Sequence, residues 1–290
     1  MLRILILGAN GLLGSNLYFE LERDHTVFGT FFNNKVGDLL FCSLDAGQVE
    51  QICLKNDIEV VINCIGLTNI ELCEHFPEKA WQINARWVHQ LGEFCNNAQI
   101  KLIHISTDHF SSILNEIRDE NCIMYPINQY GYTKFAAEKI CSYFVPNSLI
   151  LRVNFVATNR FGLADNSLLT FFIKQLRNGK EVVGFHDVNF SPVSAKYVSE
   201  VINVLLENDA KGLFNVSASD PISKFNFAKS LAKFLGYGDD KIKPGSIIDL
   251  PKLTNRPSNL SLDATKLSSY IKLPSIEQVI DEALELANIS

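Results

Sequence analysis

The sequence predicts an α/β fold, with a doubly wound parallel sheet in its N-terminal half and a smaller C-terminal α/β region. Three observations carry this. Short apolar runs alternate with longer helical patterns through the first half, which is the rhythm of βαβ units. The first apolar run ends in glycines that open directly onto a helical pattern. Beyond about residue 156 the alternation loosens into helices mixed with Pro-containing loops.

The elements follow in order. "RILILG" is a continuous apolar strand, and "LLGSNLYFELER" places Leu13, Leu17 and Leu21 on one helical stripe. "HTVFGTFF" reads as the second strand and "VEQICLKN" as a helix. "DIEVVINCIG" is a third strand, β-branched and bounded by Gly66. "EKAWQINARWVHQLGEFCNNA" predicts one long helix, "IKLIHIST" a strand, "YGYTKFAAEKICSYF" a helix and "SLILRVNF" another strand. In the second half "SLLTFFIKQLRNG" and "FNFAKSLAKFLG" are helical, mixed with "GLFNVSA" and with Pro-containing loops. A helix near 194–207 is expected to return and cover the sheet. These readings divide the chain into a dinucleotide-type domain, 1–155, and a partly interleaved substrate-binding region, 156–290.

Composition narrows the function. The 290 residues are 47% hydrophobic and 20% charged, with a net charge of −6, which argues against a nucleic-acid partner because phosphate binding needs a basic surface. The first apolar stretch is too short for a membrane span. The seven cysteines have no C-x-x-C and no metal-like spacing. Most are expected to be buried small hydrophobes, which suits a reducing cytoplasmic setting. No His, Cys and carboxylate cluster has metal-ligand spacing. His25, His75, His89, His104 and His186 are scattered, and are read as surface or satisfied core residues.

"LGANGLLG" sets Gly8, Gly11 and Gly14 between the first strand and the first helix, with Asn10 in the turn. One glycine permits the tight turn, one lets the backbone approach a pyrophosphate, and one lets the helix pack close. The helix N-terminus then offers unpaired N–H groups to phosphate. A turn that only packs a helix would use the same residues, but the N-terminal strand–turn–helix context favours a bound dinucleotide. At the end of the second strand, "TFFNNKVGD" supplies Asn33 and Lys35 and no acid before Asp38. A carboxylate there would favour NAD, so its absence favours NADP(H) over NAD(H). Asp45 reads either as an adenine contact or as a surface-loop acid.

"QYGYTKFAAE" carries Tyr130 and Lys134 on one face of a helix. An ammonium beside a phenol stabilises the phenolate and brings its pKa down, giving a proton donor for a substrate carbonyl. A second Tyr-x-x-x-Lys pair, Tyr237 and Lys241, lies in "GYGDDKIKPG", whose glycines and proline predict a loop. Ser106 and Thr107 in "HISTDHF" offer hydroxyls at a strand's carboxyl end, where open α/β sheets bind ligands.

Taken together, "GANGLLG", "HISTDHF", "YPINQYGYTKFAAEK", "NCIGLTNIELCEHFPEKAWQIN" and "RPSNLSLDATKL" resemble the extended short-chain dehydrogenase/reductases, and among them the dTDP-4-dehydrorhamnose reductase branch. The likeness runs through nearly the whole chain. It implies a Rossmann-like domain, a small domain closing over a nucleotide sugar, and NAD(P)H-dependent reduction of a 4-keto-6-deoxyhexose for surface polysaccharide synthesis. It is compatible with a homodimer and with a bound Mg²⁺, and indicates neither.

By matching motifs, the resemblance implies that Thr107 holds the carbonyl, Tyr130 is the acid and Lys134 the cation, with Asn84 supporting them. It adds Leu12, Leu13, Cys64 and Gly66 to the cofactor set, and gives Thr68, Asp108, His109, Phe155, Asn189 and Arg256 as substrate-binding candidates beside Pro192. Two departures bear on the substrate. His109 stands where the branch has tyrosine, in an altered loop, and Phe155 stands where it commonly has tryptophan. The resemblance also reaches a non-catalytic NADP-binding regulatory subunit, which the altered loop favours and the intact Thr107, Tyr130 and Lys134 oppose. It reaches as well a nucleotide-sugar epimerase of the same fold, which would hold NAD tightly.

Overall fold

The computed structural model describes residues 1–112, 117–249 and 254–287. Its centre is a seven-stranded parallel sheet. The strands are β1 (Arg3–Leu7), β2 (Thr26–Phe31), β3 (Leu40–Phe41), β4 (Val60–Asn63), β5 (Lys101–Thr107), β6 (Leu149–Val153) and β7 (Gly212–Val216). They lie in the order β7-β6-β5-β4-β1-β2-β3. The order reverses between β1 and β4, and that switch point opens a crevice at the carboxyl ends of the strands.

Alternation along the strands feeds two cores. Ile4, Ile6, Ile62, Ile103, Leu149 and Leu151 face one side, where α1 (Leu12–Leu21) brings Leu13, Leu17 and Leu21. The helix at Ala195–Glu207 brings Tyr197, Val198, Val201 and Ile202 to the same side. Leu5, Leu7, Val61, Leu102 and Ile150 face the other side. There they meet Val49 and Cys53 of α2 (Ala46–Lys55), Trp87 and Leu91 of the helix at Trp87–Asn97, and Ala137 and Cys141 of the helix at Gln129–Phe144.

A further core, with Phe172, Phe190, Phe227, Leu231 and Ile280, lies wholly in the C-terminal half. It is built on helices Leu168–Arg177, Lys224–Phe234 and Ile276–Leu286 and on short two- and three-stranded pairings.

"GLFNVSA", to which the sequence assigns no element, is β7, the edge strand of the main sheet, paired with β6 from Gly212↔Leu149 to Val216↔Val153. One expectation differs from this structure. The long helix expected at 78–98 is interrupted: Pro77–Trp81 is α-helical, Gln82–Arg86 is a π turn, and the α-helix resumes at Trp87. The π turn widens the helix by one residue per turn, as such bulges do near functional sites, and it carries Asn84. Tyr237 lies before a short 3-10 turn and Lys241 ends it, with no longer helix to align the two. Of the seven cysteines, all free, Cys42, Cys53, Cys73, Cys95 and Cys141 are buried. Among the described residues no helix is long and apolar enough to cross a membrane, and no group of three or more His, Cys, Asp or Glu could hold a metal ion.

Candidate active site

The glycine turn is shaped by close approach. Gly8 has φ +76, a conformation that L side chains rarely adopt. A Cβ on Gly14 would lie 2.2 Å from the Gly8 carbonyl oxygen, so only glycine lets α1 start this close to β1. Beside the turn lies a cleft of about 640 Å³. Of the residues anticipated for a dinucleotide, Gly8, Asn10, Gly11, Leu12, Asn33, Cys64 and Gly66 line it. Thr30, Phe32, Leu67, Ile83, Asn159 and Asp165 line it too, and sequence reasoning missed them. The stretch 158–165 reaches the turn because Asn159 Nδ2 donates to the Asn10 carbonyl at 2.9 Å and Asn16 Nδ2 donates to the Thr158 carbonyl.

Three anticipated residues lie elsewhere. Leu13 is buried in the core because it belongs to the packed stripe of α1. Lys35 is exposed beyond the cleft wall. Asp45 is the N-cap of α2, its Oδ1 accepting from the Gly47 N–H at 2.9 Å, the role that short acidic side chains favour.

Thr107 ends β5, and Tyr130 starts the helix Gln129–Phe144, capped by Asn128, whose Oδ1 accepts from the Gly131 N–H at 2.8 Å. Tyr130 packs with Cys73 and Ala80, and with Leu67 of the cleft wall. The sequence-predicted pair and hydroxyl are therefore brought together beside the glycine cleft. All three are nearly enclosed, with exposures of 8% for Tyr130, 6% for Thr107 and 5% for Lys134.

That enclosure reverses the expected electrostatics. Burial pushes the Tyr130 phenol well above its usual value, Asp108 and Cys73 push the same way, and the adjacent Thr107 hydroxyl opposes them. Lys134 does not turn its nitrogen to the phenol. It donates to the Ile105 carbonyl at 2.6 Å and lies 3.3 Å from His104 Nε2. Burial brings Lys134 down to about 8 against the pull of Glu138. Burial and the Lys134 charge hold His104 well below the imidazole range. His104 is a core residue, as expected, yet it touches the lysine, a contact made by residues thirty apart and invisible to local pattern.

The substrate candidates form a second ring. Asp108 is buried and pushed up to about 6, with Asn154 Nδ2 donating to its carboxylate. His109 stands edge-on to Tyr130, with ring centroids 5.5 Å apart. Its Nε2 lies 3.0 Å from Asn128 Nδ2. Since Asn128 Oδ1 is committed to Gly131, Nδ2 donates and His109 carries its proton on Nδ1. Burial, Arg256, Lys224 and Arg118 bring this histidine down to about 4. Lys224, which sequence reasoning missed, is also close enough to Asp108 to be felt there.

Arg256 donates to Glu71 Oε1 at 2.9 Å, and Thr254 hydrogen-bonds the same carboxylate. Phe155 is half-buried on a short strand paired with Val193–Ser194. Thr68 is exposed near Gly66, Asn189 is exposed on its short strand, and Pro192 is buried. The altered segment after His109 passes into residues 113–116, outside the described residues.

Comparison with known proteins agrees with this geometry. The family model described as RmlD substrate binding domain matches residues 2–288. The probable low-salt glycan biosynthesis reductase Agl14 of Haloferax volcanii is 29% identical, over 97% of each chain. Methionine adenosyltransferase 2 subunit beta of Mus musculus is 26% identical, over 92% of this chain and 82% of that one. Among solved structures, a dTDP-4-dehydrorhamnose reductase from Bacillus anthracis in complex with NADP superposes with a TM-score of 0.86 at 24% identity, covering 98% of this chain and 99% of that one. The expected likeness to the dTDP-4-dehydrorhamnose reductases of the extended short-chain dehydrogenase/reductases is thereby borne out, and the chain belongs to the RmlD substrate binding domain family.

Proposed function

We propose that this protein is an NADPH-dependent reductase of a 4-keto-6-deoxy sugar carried on a nucleoside diphosphate, serving the synthesis of surface polysaccharide precursors. The observation that carries the reading is the placement of Tyr130 and Thr107, enclosed together beside the glycine cleft. The glycine turn fits a dinucleotide, because a Cβ at Gly14 would collide with the Gly8 carbonyl and the N–H groups at the start of α1 face the turn. When bound, the cofactor supplies hydride.

The rest is the work of this chain's own residues. The Tyr130 phenol, kept protonated by burial, gives its proton to the sugar carbonyl oxygen. The Thr107 hydroxyl donates a hydrogen bond to that oxygen and strengthens as charge gathers there. Lys134, one helical turn on, would hold the nicotinamide ribose. His109 offers Nδ1–H to the sugar, and Arg256, paired with Glu71, is the guanidinium offered to the diphosphate. Phe32, Asn33 and Asn34 form the cleft wall at the end of β2 without a carboxylate, which supports NADP(H) over NAD(H). The names of the glycan biosynthesis reductase and of the Mycolicibacterium smegmatis dTDP-4-dehydrorhamnose reductase, 26% identical, support the reaction class.

The test is consumption of NADPH, followed by its absorbance, with a panel of 4-keto-6-deoxy sugar nucleotides. Turnover with one member, faster with NADPH than NADH, is expected; no turnover with any member while NADPH binds refutes the reading. That outcome is the one required by a second reading, a non-catalytic regulatory subunit, which the likeness to methionine adenosyltransferase 2 subunit beta supports.

A further inference from the structure

The C-terminal core carries a cation, Lys224, into the neighbourhood of His109 and Asp108. Lys224 opens the helix Lys224–Phe234 behind its cap Ser223, whose Oγ accepts from the Asn226 N–H at 3.1 Å. A three-stranded pairing sets its place, with Asn189 between Ser223 and Asn259. The Lys224 N–H donates to the Val188 carbonyl at 3.0 Å, and the Asn189 N–H donates to the Ser258 carbonyl at 2.9 Å. Lys224 and the segment holding Arg256 therefore leave this pairing at the same end. That segment is tied to the site from the other side. Asn128 Nδ2, which meets His109, also donates to the Asn255 carbonyl at 2.7 Å.

Lys224 is half-buried, and among the described residues its ammonium makes no ion pair and no hydrogen bond. The carboxylates nearby are engaged by other groups: Glu71 accepts from Arg256 and Thr254, and Asp108 from Asn154. Burial loosens the lysine's hold on its proton and Arg256 repels it, with Asp108 alone opposing them. Arg256 brings a second unmet demand, since its Nε–H is buried without a hydrogen-bond partner. Two neighbouring cations, one without a counter-ion and one with an orphaned donor, are costly in the free fold. A multiply charged anion relieves both.

We propose that Lys224 is a substrate-binding residue, which joins Arg256 in gripping the diphosphate of the sugar nucleotide. The inference rests on the reductase reading and deepens it. Both cations act on His109, whereas besides burial the groups that shift Tyr130 are Thr107, Asp108 and Cys73. In a pyranose the C4 carbonyl and the C1 oxygen lie at opposite ends of the ring. A sugar whose carbonyl meets Tyr130 and whose ring passes His109 thus delivers its diphosphate to the cations beyond. A sugar hydroxyl leaves a desolvated ammonium charged and unpaired; a phosphate oxygen gives it a charge-assisted hydrogen bond.

The test is calorimetric titration of the full chain with thymidine, uridine, guanosine and cytidine diphosphates. NADP⁺ is kept saturating, so that the diphosphate does not enter the glycine cleft. Should NADP⁺ fail to bind, the reductase reading falls and the same titration is run on the free chain. Lys224→Met is expected to weaken binding of the preferred diphosphate at least about tenfold and to leave NADP⁺ affinity unchanged. Lys224→Arg, which keeps the charge, is expected to bind within about threefold of wild type. Lys224→Gln repeats the measurement if the methionine variant does not fold. A lysine that serves only the fold lowers the melting temperature when replaced and leaves diphosphate affinity alone; that result overturns the proposal. So does a wild type that binds none of the four diphosphates. Turnover is not read, so a chain inactive on every sugar nucleotide would defeat the reductase reading and leave a Lys224-dependent diphosphate affinity standing.

Discussion

Asn84 and Thr133 join the cleft to the tyrosine helix: Asn84 Nδ2 donates to Thr133 Oγ1 at 3.0 Å. The same carboxamide clasps the backbone of Leu67, accepting from its N–H at 2.7 Å and donating to its carbonyl at 3.0 Å. Thr133 in turn donates to the Tyr130 carbonyl at 2.9 Å. The π turn at Gln82–Arg86 presents Asn84 for this task. Asn84→Ala leaves the half-buried Leu67 N–H without this partner and its carbonyl with only the Cys73 thiol, at an expected cost of about 1–3 kcal/mol in stability. The expected loss in kcat is about 10- to 100-fold, because the cleft wall and the tyrosine no longer hold their relative position. Thermal melting and steady-state kinetics check the two effects, and a kcat within error of wild type would remove Asn84 from the positioning set.

Gly14 is the sharper test of the cradle. A Cβ there meets the Gly8 carbonyl at 2.2 Å and the Ala9 Cα at 2.9 Å, backbone atoms that cannot move without opening the turn. Gly14→Ala is expected to cost about 1–3 kcal/mol in stability and to weaken NADPH binding at least about tenfold. Titration of cofactor fluorescence measures this. Unchanged affinity would place the dinucleotide somewhere other than the cleft.

Asp108 makes stability depend on pH with a definite sign. Its folded-state pKa, about 6, lies above its unfolded value, so the folded state holds the proton more tightly. The stability this contributes is full at low pH and is lost as pH rises toward and through 6. Asp108→Asn removes the effect. Urea denaturation at several pH values should show the variant gaining on wild type between pH 4 and 7, by an amount on the order of 2–3 kcal/mol. His109, brought down to about 4, has the opposite slope in wild type and variant alike and so cancels in the comparison. A constant difference across the range would mean that Asp108 is solvated.

Much of the fold was legible because its signals are local. Leu13, Leu17 and Leu21 form one stripe, and the glycine turn demands a strand before it and a helix after it. The edge strand Gly212–Val216 was not legible, because its pairing partner lies sixty residues earlier and its own residues carry no turn signal. Nor was the break at Gln82–Arg86, which contains no Gly or Pro to announce it. At the site, residue identity told which side chains would meet, as with Thr107 and Tyr130. It could not tell how deeply they would be enclosed, and enclosure sets the direction of the phenol's shift. Asp45 shows the same limit from the other side, since a carboxylate two residues before a helical N–H caps that helix more readily than it waits for a ligand.

The central claim is that Tyr130 is the proton donor of a reductase, and it is tested most directly with Tyr130→Phe. Turnover of the accepted 4-keto-6-deoxy sugar nucleotide and the affinity for NADPH are measured on the same preparation. The account predicts a fall in kcat of about 10²–10⁴-fold, with NADPH affinity unchanged. Wild-type turnover in that variant would contradict it.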